Sequence, residues 1–146
     1  MKENFQIPWH WWDSPPRPYE VTGRIRVFLI APEETGTWSY VIGPNQMLLL
    51  KTFVINARGQ TAILADCMKI GLYQNQHLLW NAGEGLGLSN ILNLLYLEPR
   101  LVVIGATQVD CVITNLSATL THSILLTDMS WIVNDLQRHL ERAPWL

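Results

Sequence analysis

The feature that most constrains the fold of this chain is a regular succession of short apolar segments separated by turn residues. From Arg24 onward, segments rich in Val, Ile, Leu and Phe are interrupted at intervals of about 8–15 residues by clusters such as Pro32–Gly36 and Gly43–Asn45. This pattern predicts an antiparallel β-sandwich or barrel, and the sequence lacks the strand–helix–strand repeat that indicates a parallel α/β fold. The predicted strands are 24–30, 38–42, 47–56, 61–73, 78–80, 91–97, 101–104, 108–115 and 119–131.

The middle of the chain carries unusually few charges. Between Asn45 and Val133, nine of 89 residues are Asp, Glu, Lys or Arg, whereas soluble domains average about 25 %. A monomer with so few charges would expose large apolar patches, which usually mark contacts between proteins. We therefore expect an obligate oligomer or a component of a larger assembly. The net charge of −2 argues against a nucleic-acid partner, because phosphate binding needs excess positive charge.

The first 22 residues form a separate segment in which prolines flank a cluster of tryptophans. Four of the eight prolines of the chain lie within residues 1–20, around three of its seven tryptophans. Proline fixes φ and lacks an N–H group, so we expect an extended arm. Aromatic rings bury much area at little entropic cost. The arm is therefore expected to dock on another subunit or protein, and the alternative is that it folds back on its own domain. The expected interface anchors are Trp9, Trp11, Trp12 and Tyr19, together with Trp131 and Trp145 near the C-terminus.

The C-terminal end has apolar residues at helical spacing between Ile132 and Leu140. A short helix is predicted there, capped by Asp128 or Ser130 and ending before Pro144. A strand is the alternative for Leu125–Val133. The predicted organisation is an N-terminal arm (1–22), a β-sandwich domain (23–133) and a C-terminal helix or tail (134–146).

The sequence contains no recognisable catalytic or metal-binding motif. His10, His77, His122 and His139 show no ligand spacing, and neither a G-x-S-x-G motif nor a cysteine–histidine pair indicates a nucleophile. The stretch Gly83–Gly87 (GEGLG) lacks the spacing of a phosphate-binding loop. We expect no enzymatic activity, no metal and no cofactor, although Asp110 and Asp128 could lie close together in a sandwich.

Other features predict a soluble protein that is made in a cytoplasm. No basic segment precedes an apolar segment at the N-terminus, so secretion by a signal peptide is not expected, and no apolar run is long enough to span a bilayer. Cys67 and Cys111 are expected to be buried small hydrophobic residues, with a disulfide as the less favoured alternative. The glycosylation acceptor Asn115–Ser117 (NLS) is expected to be incidental in this setting.

Five sequence elements follow one another between Val41 and Thr114. A turn at 41–45 (VIGPN) leads into a long apolar strand at 47–56 (MLLLKTFVIN). A second strand at 58–64 (RGQTAIL) starts from a small-residue turn, a loop follows at 79–83 (LWNAG), and the run 109–114 (VDCVIT) closes the series. This order resembles that of small jelly-roll β-sandwich proteins in the virions of tailed bacteriophages.

The resemblance covers about half of the chain and has two departures. The glycine–aspartate that usually precedes the penultimate strand is replaced by Leu97–Arg100 (LEPR), and the chain continues for about 30 residues past the usual final strand. Proteins of this kind decorate capsids, often as trimers, or belong to tails and head fibres. The resemblance therefore implies a structural virion protein: a capsid decoration (cement) protein, forming a homotrimer that bridges major capsid protein subunits on the capsid surface. The alternative is a tail, fibre or head–tail component with a receptor- or glycan-binding sandwich, contacting glycans through its tryptophans and the loop around Gly83–Leu88.

Overall fold

The computed structural model describes residues 7, 9–12, 14–21, 25–57, 64–81, 86–88 and 93–141, most of which lie in β-strands. A 3₁₀ turn at Trp9–Trp12 precedes the strands, and one short α-helix follows them. The strands are β1 (Tyr19–Val21), β2 (Ile25–Ile30), β3 (Thr35–Ile42), β4 (Met47–Ala57), β5 (Leu64–Gln74), β6 (His77–Asn81), β7 (Leu86–Leu88), β8 (Asn93–Ile104), β9 (Thr107–Asn115) and β10 (His122–Val133), and the helix is α1 (Leu136–Glu141).

The strands form two antiparallel five-stranded sheets in a jelly-roll arrangement. In sheet A the order is β2-β10-β4-β8, and β1 pairs with the other end of β10; in sheet B the order is β3-β9-β5-β6, and β7 also pairs with β5. The chain crosses between the sheets at each step from β2 to β5 and again from β8 to β10. Without β1 and β7, the remaining eight strands form two four-stranded antiparallel sheets whose order is that of a jelly roll. The predicted all-β antiparallel sandwich is therefore confirmed.

The main core lies between the sheets because alternate residues of the long strands are apolar and point inward. In β9, Val109, Cys111 and Ile113 are fully buried, and the residues between them are partly exposed. Phe53 of β4 and Leu126 of β10 meet them from sheet A. This alternation fixes which face of each sheet is internal.

A second apolar cluster lies on the outer face of sheet A. The 3₁₀ turn and α1 both pack there, over one half of the sheet. Hydrogen bonds also anchor the main chain of the 3₁₀ turn. The carbonyl of Trp12 accepts from the indole of Trp131 at 3.1 Å and from the Lys51 ammonium at 3.5 Å. The cluster consists of Trp11, Trp12, Met47, Leu49, Val133, Leu136 and Leu140.

The C-terminal helix is shorter and begins later than the sequence predicts. β10 continues to Val133 because its last residues pair with the start of β4, with Val133 opposite Met47. Asp128 and Ser130, expected as helix caps, are buried residues of this strand. The strand alternative for Leu125–Val133 is thus correct, and the helix follows Asp135, whose φ is +51°.

The two strands predicted on either side of Pro99 form one strand, β8. Leu50 of β4 pairs with Leu101, whereas Thr52 pairs with Tyr96, so the register shifts across the proline. Proline cannot donate to the ladder and is tolerated in edge strands and bulges. Within the described sheets β8 pairs with β4 alone, and this edge position allows the strand to continue through Pro99.

Candidate interaction surface

The outer face of sheet A carries apolar side chains at both ends, and the described residues cover one of these ends. At one end, Met47 and Leu49 of β4 lie beneath Trp11, Trp12 and α1. At the other end, no described element of the chain packs over β2 or the first half of β10. We call this second half the open face.

The open face is formed by β2 together with the neighbouring parts of β1, β10 and β4. Five of its aliphatic side chains are at least half exposed: Val21 (61 %), Ile25 (72 %), Val27 (53 %), Leu29 (78 %) and Met129 (50 %). Leu125, Thr127 and Val54, which are half-buried, lie between them on the paired strands. None of these side chains is ionisable. Exposed apolar groups that adjoin one another usually mark a contact surface, whereas scattered ones need no explanation.

A buried ion pair holds β2 in the register that exposes this stripe. Arg26 points into the sandwich, where its Nη1 lies 3.2 Å from Oδ1 of Asp128, whose side chain is fully buried. The hydroxyl of Tyr40 donates to the other carboxylate oxygen. The Arg26 guanidinium also lies over the ring of Trp38, with its central carbon 5.0 Å from the ring centroid, a geometry that favours a cation–π contact.

This ion pair matters because a strand shifted by one residue turns every side chain to the opposite face. A one-residue slip of β2 would bury Val27 and Leu29, but it would expose Phe28 and Ile30 together with Arg26 and would leave Asp128 without its counter-charge. Removing one member of a buried pair is strongly destabilising. The Arg26–Asp128 pair therefore selects the register in which the aliphatic stripe faces solvent.

The two titratable side chains beside the ion pair, Tyr40 and Cys111, are kept neutral by their surroundings. Burial, with the nearby Asp128 carboxylate as a smaller cause, raises the pKa of the Tyr40 hydroxyl well above its usual value. The same two causes raise the pKa of the Cys111 thiol. A protonated Tyr40 can donate its hydrogen bond to Asp128, and a protonated Cys111 packs as a small apolar residue.

The outer face of sheet B has a different character. Ser39 of β3 and Gln108 of β9 donate hydrogen bonds to the carboxylate of Asp110, at 2.5 and 2.8 Å. Both hydrogen bonds lower the pKa of Asp110, and the one from Gln108 has the larger effect. Val41, 71 % exposed, lies among these polar groups. The contrast between the two outer faces identifies sheet A as the apolar side of the sandwich.

The predicted interface anchors divide into three groups. Trp11 and Trp12 are buried against their own chain, so the fold-back alternative applies to them, and they form a 3₁₀ turn instead of an extended arm. Tyr19 lies in β1, which pairs with β10, and its ring meets the ring of Trp131 edge-on with the centroids 5.3 Å apart. The side chain of Trp9 and all of Trp145 lie outside the described residues.

The part of the chain that the structure describes contains no metal-binding cluster. No set of three or more His, Cys, Asp or Glu side chains in this part of the chain could hold a metal ion. Asp110 and Asp128 lie on opposite sides of sheet B. Asp110 is on the outer surface of that sheet, and Asp128, which belongs to β10 of sheet A, is in the core between the sheets. Most of the loop preceding Leu86 lies outside the described residues.

Asn115 of the glycosylation motif has a structural role. Its side chain is fully buried, and its Nδ2 lies 2.8–3.2 Å from the carbonyl oxygens of Ile30, Ala31 and Leu120. A glycan would have to be attached to this same nitrogen. The motif therefore serves to fasten the β2–β3 turn to the segment after β9.

The two cysteines are buried and form no disulfide with each other. Cys111 pairs with Leu72 in the β5–β9 ladder, and the carbonyl of Cys67 accepts from the N–H of Leu116, which is five residues beyond Cys111 and directly follows the end of β9. At about 3.3 Å per residue in a strand, this separation is far greater than the 7 Å limit for the Cα atoms of a disulfide. The expectation of buried small hydrophobic residues is confirmed.

Sequence reasoning did not identify the open face. The segment Ile25–Ile30 (IRVFLI) was correctly predicted as a strand, but its two faces read as almost equally apolar. The available signal is that Arg26 shares a face with Phe28 and Ile30. Either this face is buried with its arginine and Ile25, Val27 and Leu29 are exposed, or Arg26 is exposed together with Phe28 and Ile30.

Comparison with known proteins gives similarity of shape alone. No family model and no curated protein matches the chain. Among solved structures, a carbohydrate-binding module described as CBM4 aligns with 86 % of this chain and 84 % of its own, at 9 % identity and a TM-score of 0.40. The VP2 subviral particle of infectious bursal disease virus aligns with 77 % of this chain at 13 % identity and a TM-score of 0.40, and the chain spans 33 % of that protein. Latent PorU from Porphyromonas gingivalis aligns with 79 % of this chain and 13 % of its own, at 11 % identity and a TM-score of 0.35.

Proposed function

We propose that this protein is a non-enzymatic structural subunit that works by burying its open face against another protein subunit of an assembly. One observation carries the proposal: the uncharged aliphatic stripe Ile25, Val27 and Leu29, held outward by a buried ion pair. The opposite face of β2 is also apolar, because Phe28 and Ile30 pack in the core. β2 therefore has two apolar faces, of which the described residues cover one, and an uncovered group of adjoining apolar side chains usually marks a contact surface.

The size of the open face suits a contact between proteins. Burying a large aliphatic side chain contributes about 1.5–3 kcal/mol. The five exposed residues retain half to three-quarters of their surface in the isolated chain, so their burial would favour association by on the order of 5–10 kcal/mol before the entropic cost. This range is enough for specific assembly when many copies bind side by side.

Within this class, the assembly that we propose is a virion, and the role is that of a capsid decoration protein bridging major capsid protein subunits. The jelly-roll strand order and the charge-poor centre support this role, as does the resemblance of Val41–Thr114 to phage virion proteins. The trimeric state that the resemblance implies remains a prediction. The glycan-binding alternative has less support, because Trp11 and Trp12 are buried and so cannot form an exposed aromatic platform.

The test is quantitative mass spectrometry of particles purified from the source, combined with re-attachment of the purified protein to particles that lack it. A decoration protein is expected in hundreds of copies, and a tail or fibre component in only a few. Leu29→Glu should abolish re-attachment. Val41→Glu, an equivalent change at a 71 % exposed aliphatic residue of sheet B, should leave it unchanged. Absence from particles, or equal effects of the two substitutions, would contradict the proposal.

A further inference from the structure

Three outward side chains on sheet B form a row that crosses three neighbouring strands. Ser39 of β3 and Tyr73 of β5 both lie opposite Asp110 of β9 in the two ladders. The row is on the outer face, because the residues that flank Asp110 in β9, Val109 and Cys111, are buried in the core. With about 4.8 Å between neighbouring strands, the row is about 10 Å long. It places a hydroxyl, a carboxylate and an aromatic ring side by side.

The ring of Tyr73 leans along its strand over a glycine. Gly71 lies two residues earlier on the same face of β5, and it is buried although it has no side chain. A Cβ atom at Gly71 would lie 3.0 Å from Cε2 of Tyr73 and 3.3 Å from its hydroxyl oxygen. The distal end of the ring therefore lies low over the main chain of Gly71. Tyr73 is only half-buried in this position, so part of its ring stays accessible beside Asp110.

A closed set of hydrogen bonds holds the polar part of the row in place. Nε2 of Gln108 donates to Oδ1 of Asp110 at 2.8 Å and to Oγ of Ser39 at 3.1 Å, and Ser39 donates to the same Oδ1 at 2.5 Å. Oδ2 of Asp110, Oε1 of Gln108 and the hydroxyl of Tyr73 form no hydrogen bond with another described residue. These three polar atoms are thus available to a ligand, on side chains of which two are already ordered by each other. Such ordering lowers the entropic cost of binding.

The chemistry of the row suits a neutral oligosaccharide. The C–H groups of a pyranose pack on an aromatic ring, and its hydroxyl groups donate to carboxylate and amide oxygens. The row is about as long as a disaccharide. An anionic ligand would be repelled by the carboxylate of Asp110. A protein partner fits less well, because the cores of protein interfaces are depleted in charged residues.

We infer that the outer face of sheet B binds a neutral oligosaccharide, with a sugar ring packed on Tyr73 and its hydroxyl groups donating to Asp110 and Gln108. This site differs from the tryptophans and the loop around Gly83–Leu88, where the sequence placed glycan contacts. The inference goes beyond the proposed function and does not depend on it. The two functions are compatible, since a subunit attached through sheet A would turn sheet B away from the assembly.

Binding of the full chain to a printed array of neutral and sialylated oligosaccharides is the first test. We expect binding to neutral oligosaccharides and weaker binding to their sialylated forms, because sialic acid carries a carboxylate. Absence of binding to every neutral oligosaccharide on the array, or a preference for sialylated ones, would overturn the inference.

Isothermal titration calorimetry with the neutral oligosaccharide that binds best then tests the residues. Tyr73→Ala and Asp110→Ala should each weaken binding by about tenfold or more, whereas Tyr73→Phe, which keeps the ring, should weaken it by less than about fivefold. Glu34→Gln is the control, since it neutralises an exposed carboxylate just before β3, and it should leave the affinity unchanged. An unaltered affinity of Tyr73→Ala, or an equal loss in Glu34→Gln, would refute the site.

Gly71→Val separates a binding role of Tyr73 from a purely structural one. Valine is favoured in strands, so the fold should be retained, as far-UV circular dichroism would verify, but its side chain would lift the ring of Tyr73 off the sheet. We expect binding to weaken by about fivefold or more, and an unchanged affinity would contradict the inference. Re-attachment to particles without oligosaccharide binding would overturn this inference alone. Oligosaccharide binding by a protein that is absent from particles would overturn the proposed function alone.

Discussion

Replacing Arg26 by Met should destabilise the protein by about 3–4 kcal/mol, because Asp128 then lacks a counter-charge in the core. The Asp128 side chain is fully buried and that of Arg26 is 21 % exposed. Breaking a buried pair by removing one partner costs about 3–5 kcal/mol. The value belongs in the lower part of that range, because the Tyr40 hydroxyl still donates to the carboxylate and a methionine still fills most of the space.

The assay is urea denaturation followed by tryptophan fluorescence, with the free energy of unfolding taken from the linear dependence on denaturant. Lys69→Met, the loss of an exposed cation on sheet B, serves as the control and should shift stability by less than about 0.5 kcal/mol. Asp128→Asn completes a double-mutant cycle and should show a coupling of about 1–3 kcal/mol with Arg26→Met. A loss below about 1 kcal/mol for Arg26→Met, or additive effects in the cycle, would refute the claim that the ion pair fixes β2.

Three further changes test other parts of the structure. Trp12→Ala should lower the free energy of unfolding by about 3–5 kcal/mol, since this ring packs on Met47 and Leu49 in the second apolar cluster. The measurement is urea denaturation. A change below about 1 kcal/mol would indicate that the ring belongs to an intermolecular contact instead. His122→Leu should reduce the loss of stability on acidification. Burial lowers the pKa of His122 in the folded state below its usual 6.5, so the unfolded chain takes up a proton first and stability falls as the pH drops below about 6.5; an identical pH dependence of the wild type and the variant between pH 7 and 5 would contradict this. Asn115→Ala should cost about 1–3 kcal/mol by leaving carbonyl groups without their donor, and expression in a glycosylating host should add no glycan mass to the wild type; a glycan on folded Asn115 would show that its burial is wrong.

The strand pattern could be predicted from the sequence because it depends on local chemistry. Turn clusters such as Pro32–Gly36 interrupt the apolar segments, and most predicted strands occur near their expected positions. The continuity of β8 could not be predicted, since the effect of Pro99 depends on whether the strand lies at an edge. The end of β10 was equally ambiguous, because Leu125–Val133 is apolar at both strand and helix spacings, and its pairing with β4 decides the outcome.

The candidate surface could be predicted only in part. The low charge of Asn45–Val133 predicted an apolar surface, but four of the five exposed aliphatic residues of the open face precede that block, and the tryptophans drew attention away from them. Trp11 and Trp12 cover the outer face of sheet A within their own chain, a long-range contact that no local pattern encodes. The outward orientation of Val27 depends on the pairing of Arg26 with Asp128, 102 residues away in the sequence, and composition carries no information about such a pair.

Hydrogen–deuterium exchange of the free and assembled protein tests most directly whether the open face is the contact surface. Assembly should slow amide exchange in peptides covering β2, at Ile25–Ile30, because its aliphatic stripe becomes buried. Peptides covering β3, at Thr35–Ile42 on sheet B, should exchange at the same rate in both states. Unchanged exchange in β2, or protection confined to β3, would contradict the account.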